Sequence, residues 1–98
     1  MNSDAPVISG FSVVKLARGV RLREDPVRGQ TVLLAPERAM ALDDIAVAIV
    51  EALDGERSLD QIADDFAQKF EAPVAQIAED VKAFVHELAN RRMLEIVE

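Results

Sequence analysis

Apolar and polar residues alternate from Val20 to Arg23, where Val20 and Leu22 interleave with Arg21 and Arg23. A period of two marks a strand with one buried face, so "VRLRED" (20–25) reads as a strand. "DPVRG" (25–29) puts Pro and Gly where a turn needs them, and "QTVLLA" (30–35) returns the chain as the second strand of a hairpin. Pro36-Glu37 turns it again, and residues 39–42 predict a short third strand. One side of that strand pairs with its predecessor, while the other side has no partner in the pattern. Ahead of the hairpin, residues 1–10 are small, polar and Pro/Gly-containing, and read as a loose arm. "FSVVKL" (11–16) is apolar enough for an extra strand or for a segment lent to a neighbouring chain.

The period changes at Asp43, a residue type suited to an N-cap. Ile45, Ile49 and Leu53 lie on one helical stripe, widened by Val47 and Val50, and Gly55 stops that first helix. Ser58 and Gln61 have the S-x-x-Q spacing of a capping box. Behind it, Leu59, Ile62, Ala63, Phe66, Ala67 and Phe70 trace an amphipathic helix. Pro73 breaks the chain, and a third helix is expected over about residues 75–92, with "LEIV" (94–97) extending or docking against the sheet. The pattern therefore predicts an α+β domain, winged-helix-like, in which a small three-stranded antiparallel sheet is followed by a three-helix bundle. Residues 1–15 form the arm or a swapped strand, and 16–98 the domain.

Winged-helix domains often bind DNA, and the third helix tests that. At about 100° per residue, Ile77, Val81, Phe84 and Leu88 share a core stripe. The opposite face carries Gln76, Glu79, Asp80, Ala83, His86, Glu87 and Asn90. Phosphate contacts need Lys or Arg there, so three carboxylates argue against nucleic acid. Beside the core stripe run Ala78, Val85 and Ala89, with Lys82 at the edge. This flank suits either a helix packed on two neighbours or a shallow groove of small residues that admits another chain's backbone.

Composition narrows the chemistry. Ninety-eight residues allow one domain, and with half of them hydrophobic and 30% charged the chain is globular rather than disordered. With no cysteine, disulfides, thiolate zinc and iron–sulfur clusters are excluded. The N-terminus does not read as a signal peptide, no run is apolar enough to span a membrane, and a cytoplasmic location is expected. Residues 1–40 carry six Lys/Arg against four Asp/Glu (+2), and residues 41–98 five against fourteen (−9). The imbalance is either a solvated acidic helical surface or leaves a mildly basic sheet face suited to an acidic partner. His86 is the only histidine and lies on the polar face. The doublets Asp43-Asp44, Asp64-Asp65 and Glu79-Asp80 read as caps and solvated faces. No calcium loop or phosphate-cradling glycine loop is present, so neither an enzyme nor a cofactor or metal is expected.

"RGVRLR" (18–23), "VLLAPER" (32–38), "LD" (42–43), "DG" (54–55), "IA" (62–63) and "DV" (80–81) follow one another in the order seen in the PqqD family of pyrroloquinoline quinone biosynthesis proteins, which this chain resembles over roughly residues 16–94. Arg92 departs from the family pattern, which often has Gly before the final apolar pair. The resemblance implies a non-catalytic peptide chaperone that binds the PqqA precursor peptide and presents it to the radical-SAM enzyme PqqE. It also implies a peptide site between the third strand (Ala39, Met40, Ala41 and Leu42) and the third helix (Ala78, Lys82, Val85 and Ala89), with the peptide pairing onto the strand's free edge. The alternative from another class is a structural dimerisation module, a homodimer whose edge is covered by strand or hairpin exchange.

Overall fold

Two three-stranded antiparallel sheets and three helices make up the described residues, 8–36 and 38–97, of the computed structural model. Positions 1–7 of the expected arm, and Glu37 of the expected turn, lie outside the described residues. The hairpin sheet has the order β2 (Arg21–Asp25), β3 (Gln30–Ala35), β4 (Arg38–Leu42). The second sheet has the order β5 (Asp54–Ser58), β1 (Val13–Leu16), β6 (Leu94–Val97). Helix α1 (Asp44–Ala52) precedes β5, and α2 (Leu59–Phe70) and α3 (Val74–Asn90) lie between β5 and β6.

The expected order of one sheet followed by three helices therefore gives way to a mixed α+β fold with two sheets. The cause is "DGERS", which has no alternating apolar pattern. It becomes β5 because its backbone pairs with β1, as Val13 opposite Ser58 and Lys15 opposite Asp54, with a bulge between. "FSVVKL" supplies β1, paired on both sides within its own chain, so the expected boundary at residue 15 falls inside a strand. "LEIV" docks as β6, with Val13 opposite Val97 and Leu16 opposite Leu94.

In the hairpin sheet, Leu22, Leu33 and Met40 stand opposite one another across three strands. Leu33 is fully buried, and Leu22 and Met40 pack against the same core. That core also takes Val14 from β1, Leu59 and Ile62 from α2, Val81, Val85 and Leu88 from α3, and Met93. Each such side chain contributes about 1.5–3 kcal/mol relative to exposure. On α1 the stripe expected to be buried is exposed at its first member. Ile49, Val50 and Leu53 are buried, but Ile45 is 70% exposed because the first turn projects beyond the core.

The caps follow the sequence signals. Asp43 Oδ1 accepts from the Ala46 N–H at 2.8 Å. Ser58 Oγ accepts from the Gln61 N–H at 3.2 Å while Gln61 Oε1 accepts from the Ser58 N–H at 2.8 Å, completing the capping box. At the end of α3, the Met93 N–H donates to the Leu88 carbonyl and the Arg92 N–H to the Ala89 carbonyl, both at 2.9 Å. This is the Schellman pattern, with the buried pair Leu88 and Met93 supplying its apolar contact. Arg92 occupies the left-handed position, at φ 60°. Its departure from the family's Gly therefore puts a Cβ where the backbone disfavours one.

Arg57 joins three elements. Its guanidinium meets Asp54 Oδ2 at 2.9 Å, Asp65 Oδ2 at 2.7 Å and the Ala52 carbonyl at 3.2 Å. Asp54 Oδ1 also accepts from the N–H groups of Arg57 and Glu56. Those backbone donors, with the guanidinium, lower the Asp54 pKa to about 2.

Two outcomes follow from these contacts. Arg92→Gly should raise the denaturant midpoint, stabilising the fold by about 1 kcal/mol, because Gly relieves the left-handed strain. The folded-state pKa of Asp54 lies below its ordinary value, so its contribution to stability is present above pH ~4 and is lost as pH falls towards about 2. Asp54→Asn should therefore be less stable than the parent at pH 6, and most of that difference should be gone at pH 2, as followed by urea unfolding at each pH.

Candidate functional site

Strand β4 has β3 on one side and no strand on the other among the described residues. Exposed edges are usually protected by charge. The edge strand β2 reads "RLRED" and β5 reads "DGERS", each dense in charge, while β6 carries Glu95, whose Oε2 accepts the Arg18 N–H at 3.2 Å. Strand β4 reads "RAMAL". Its one charged side chain, Arg38, is directed to α3, where Nη1 donates to the Arg91 carbonyl at 2.7 Å. Residues 39–42 leave the edge uncharged.

The pairing decides which main-chain groups that edge presents. Asp25 and Gln30 oppose each other across a four-residue loop, in which the Gly29 N–H donates to the Asp25 carbonyl at 2.8 Å and Gly29 takes φ 64°. Ala35 and Arg38 oppose each other across a two-residue connection. Hairpin loops of these lengths close on a pair that exchanges main-chain hydrogen bonds, and pairs alternate beyond it. The first hairpin directs the N–H groups of Gln30, Val32 and Leu34 to β2, leaving Thr31, Leu33 and Ala35 for β4. The second, counted independently, assigns Ala35, Leu33 and Thr31 to bonds with Arg38, Met40 and Leu42. The two phases agree. The N–H and C=O groups of Ala39 and Ala41 therefore point outward along the free edge.

The same alternation divides the side chains. Leu42 is buried and Met40 packs against the core, whereas Ala39 and Ala41 are exposed. On α3, Ala78, Lys82 and Ala89 are half-buried. Val85 is not on this flank. It is 0% exposed, at the centre of the core with Val81 and Leu88, because α3 packs on α2 along a stripe displaced by one position from the expected one. Ala78, Lys82 and Ala89 lie just beyond Val85 around the helix, so the accessible flank begins with them. The expected polar face, with Glu79, Asp80, His86 and Glu87, is exposed throughout. Arg38 carried no signal in the sequence, since its partner lies 53 residues away. Among the described residues no three His, Cys, Asp or Glu side chains gather as a cation site, and no helix is long and apolar enough to cross a membrane.

Among the described residues, β4 thus leaves one uncharged edge open, and an open edge is a place where an extended segment can add as a strand. Residues 30–94 match the family model for coenzyme PQQ synthesis protein D (PqqD), and the chain belongs to that family. It is 81% identical over 98 residues, the whole of both chains, to the "PqqA binding protein" of Rhizobium meliloti. It is 44% identical over 93 residues to the "Bifunctional coenzyme PQQ synthesis protein C/D" of Methylorubrum extorquens, covering 95% of this chain and 25% of that one. The solution structure of the PqqD truncation of Methylobacterium extorquens PqqCD, described as a functional, stand-alone recognition element for ribosomally synthesised and post-translationally modified peptides, superposes with a TM-score of 0.82 at 44% identity, covering 95% of this chain and 99% of that one. The crystal structure of PqqD from Xanthomonas campestris gives a TM-score of 0.59 at 39% identity, covering 97% and 99%.

The burial of Val85 has a direct consequence. Val85→Asp and Val81→Asp should both unfold the domain, since each buries an unpaired carboxylate. Lys82→Ala should leave the thermal midpoint within a degree or two of the parent. Circular dichroism melts of the three variants separate core from flank.

Proposed function

We propose that this chain is a non-catalytic peptide chaperone of pyrroloquinoline quinone biosynthesis, acting in the cytoplasm. It takes the PqqA precursor peptide as an added strand on the free edge of β4 and presents it to the radical-SAM enzyme PqqE. One observation carries the reading: the outward main-chain groups of Ala39 and Ala41 lie on an edge that, unlike its charged counterparts, has nothing to repel a strand. The name of the Rhizobium meliloti relative, a PqqA-binding protein, supports the choice of peptide.

In this reading the peptide lies between β4 and α3, which the Arg38–Arg91 hydrogen bond ties together. From Ala78 to Ala89 is about 16 Å of helix, the length of about five extended residues. Strand β4 is itself five residues long, so both walls of the site offer the same length. Main-chain bonds to Ala39 and Ala41 supply affinity for any strand. Ala78, Lys82 and Ala89 read alternate side chains of the peptide, the small residues admitting close approach and Lys82 favouring a carboxylate. Met40 and Leu42 hold the strand in place from the core side.

A proline scan with a synthetic PqqA peptide tests the pairing. Ala39→Pro and Ala41→Pro each remove an outward N–H and should keep the fold while weakening binding several-fold, about 1 kcal/mol for one main-chain bond. Met40→Pro removes an N–H bonded to β3 and should lower stability instead. Unchanged peptide affinity in folded Ala39→Pro and Ala41→Pro would mean that no peptide strand pairs with this edge.

A further inference from the structure

Arg92 carries a cost that the fold does not return. It stands at φ 60°, where a Cβ is disfavoured and a glycine fits without strain. Its side chain is exposed and makes no hydrogen bond or ion pair among the described residues. Nor does the end of α3 need its charge. The Leu88 and Ala89 carbonyls accept the N–H groups of Met93 and Arg92, and Arg38 donates to the Arg91 carbonyl. A side-chain-bearing residue held in a sparsely populated region, with no contact that repays it, points to a role outside the fold.

The position of Arg92 says what that role meets. Arg38 Nη1 donates at 2.7 Å to the carbonyl of the peptide unit that joins Arg91 to Arg92, so these residues meet where β4 begins. Among the described residues only Arg91 has a carboxylate, Glu87 at 3.1 Å, and that pair is half exposed on both sides and therefore weak. The other end of β4 has the opposite sign. Leu42 is followed by Asp43, whose Oδ1 caps α1, and by Asp44, which is exposed and makes no ion pair among the described residues. The uncharged edge thus runs from a cationic end to an anionic one.

A strand added to this edge and continued past Ala39 comes to lie opposite Arg38. By alternation the Arg38 side chain is on the face of Met40 and Leu42, the face on which it reaches Arg91. The residue opposite Arg38 on an added strand puts its side chain on that same face, with Cβ atoms about 4.5–5.5 Å apart. A carboxylate there meets guanidinium groups, which can grip it with paired N–H donors. A carboxylate at the Asp44 end meets like charge and is disfavoured.

We propose that Arg92, with Arg38 and Arg91, binds a carboxylate side chain of the peptide strand at the start of β4, and so selects an acidic residue at one end of the paired segment. The inference rests on the functional reading above and deepens it. Main-chain bonds to Ala39 and Ala41 hold a strand, and the arginines fix its register and the end at which its acidic residue lies.

Arg92→Gly separates this role from a structural one, because stability and affinity should move in opposite directions. The parent, Arg92→Gly and Arg92→Gln are each followed by urea unfolding and titrated calorimetrically with synthetic PqqA peptide. The titrations are repeated with PqqA peptides in which each Asp or Glu in turn is replaced by Asn or Gln. Arg92→Gly should be more stable than the parent yet bind the peptide about threefold or more weakly, with the parent's affinity falling as salt rises. Arg92→Gln keeps the left-handed strain without the charge, and should bind as weakly as Arg92→Gly. One amide-substituted peptide should bind the parent and Arg92→Gly alike, which marks the carboxylate that Arg92 meets. Parental peptide affinity in either variant overturns the proposal. So does a loss of the same size for every amide-substituted peptide, since no single carboxylate is then read. A destabilised Arg92→Gly also overturns it, because the fold then repays the strain. A parent that does not bind the PqqA peptide overturns the functional reading, and this inference with it, and is recognised before any variant is measured.

Discussion

The pairing of β1 with β6 is the constraint on which the rest of the domain depends. It joins Val13 to Val97 and so brings together segments from near the two ends of the chain. Once β6 is placed, the end of α3 is placed with it. Met93 is buried, its carbonyl accepts the Ala17 N–H at 2.8 Å, and its N–H closes the helix on Leu88. That end in turn offers the Arg91 carbonyl to Arg38. The start of β4 is thus tied, through Arg38, to a helix end that a strand pairing in the other sheet holds in place.

Two neighbouring features of β4 carry opposite duties, and alternation keeps them apart. Met40 and Leu42 face inward and bond to β3, so they hold the strand in the fold. Ala39 and Ala41 face outward with their main-chain groups unshared. A strand that is structural at every second residue can be receptive at the others without loss of register. The cost is an edge open to pairing with any strand, a hazard that the charged edges of β2 and β5 do not share.

Much of this was legible in the residues. The hairpin of β2 and β3, the Asp43 cap, the Ser58–Gln61 capping box and the stripe of α2 all rest on contacts between residues a few positions apart, where period and residue type are sufficient. The edge strand itself was legible too, as an apolar segment with one neighbour. Val85 was misplaced because a helical wheel gives the relative order of residues around α3 and leaves the centre of the buried arc undetermined. Contact with α2 and the sheets turned that centre towards Val85. Ile45 erred in the opposite direction, since nothing in its spacing says where the core ends.

The local elements, the family, the acidic character of the outward α3 face and the uncharged edge can all be read from residue order, because each depends on residue identity over short spans. The second sheet, the outward phase of Ala39 and Ala41 and the Arg38–Arg91 tie were decided only in three dimensions. Strand β5 has no amphipathic signature and exists because β1 lies beside it. Which N–H groups of β4 are free depends on how two hairpins close. Pairing and burial are relations between distant residues, and no local period encodes them.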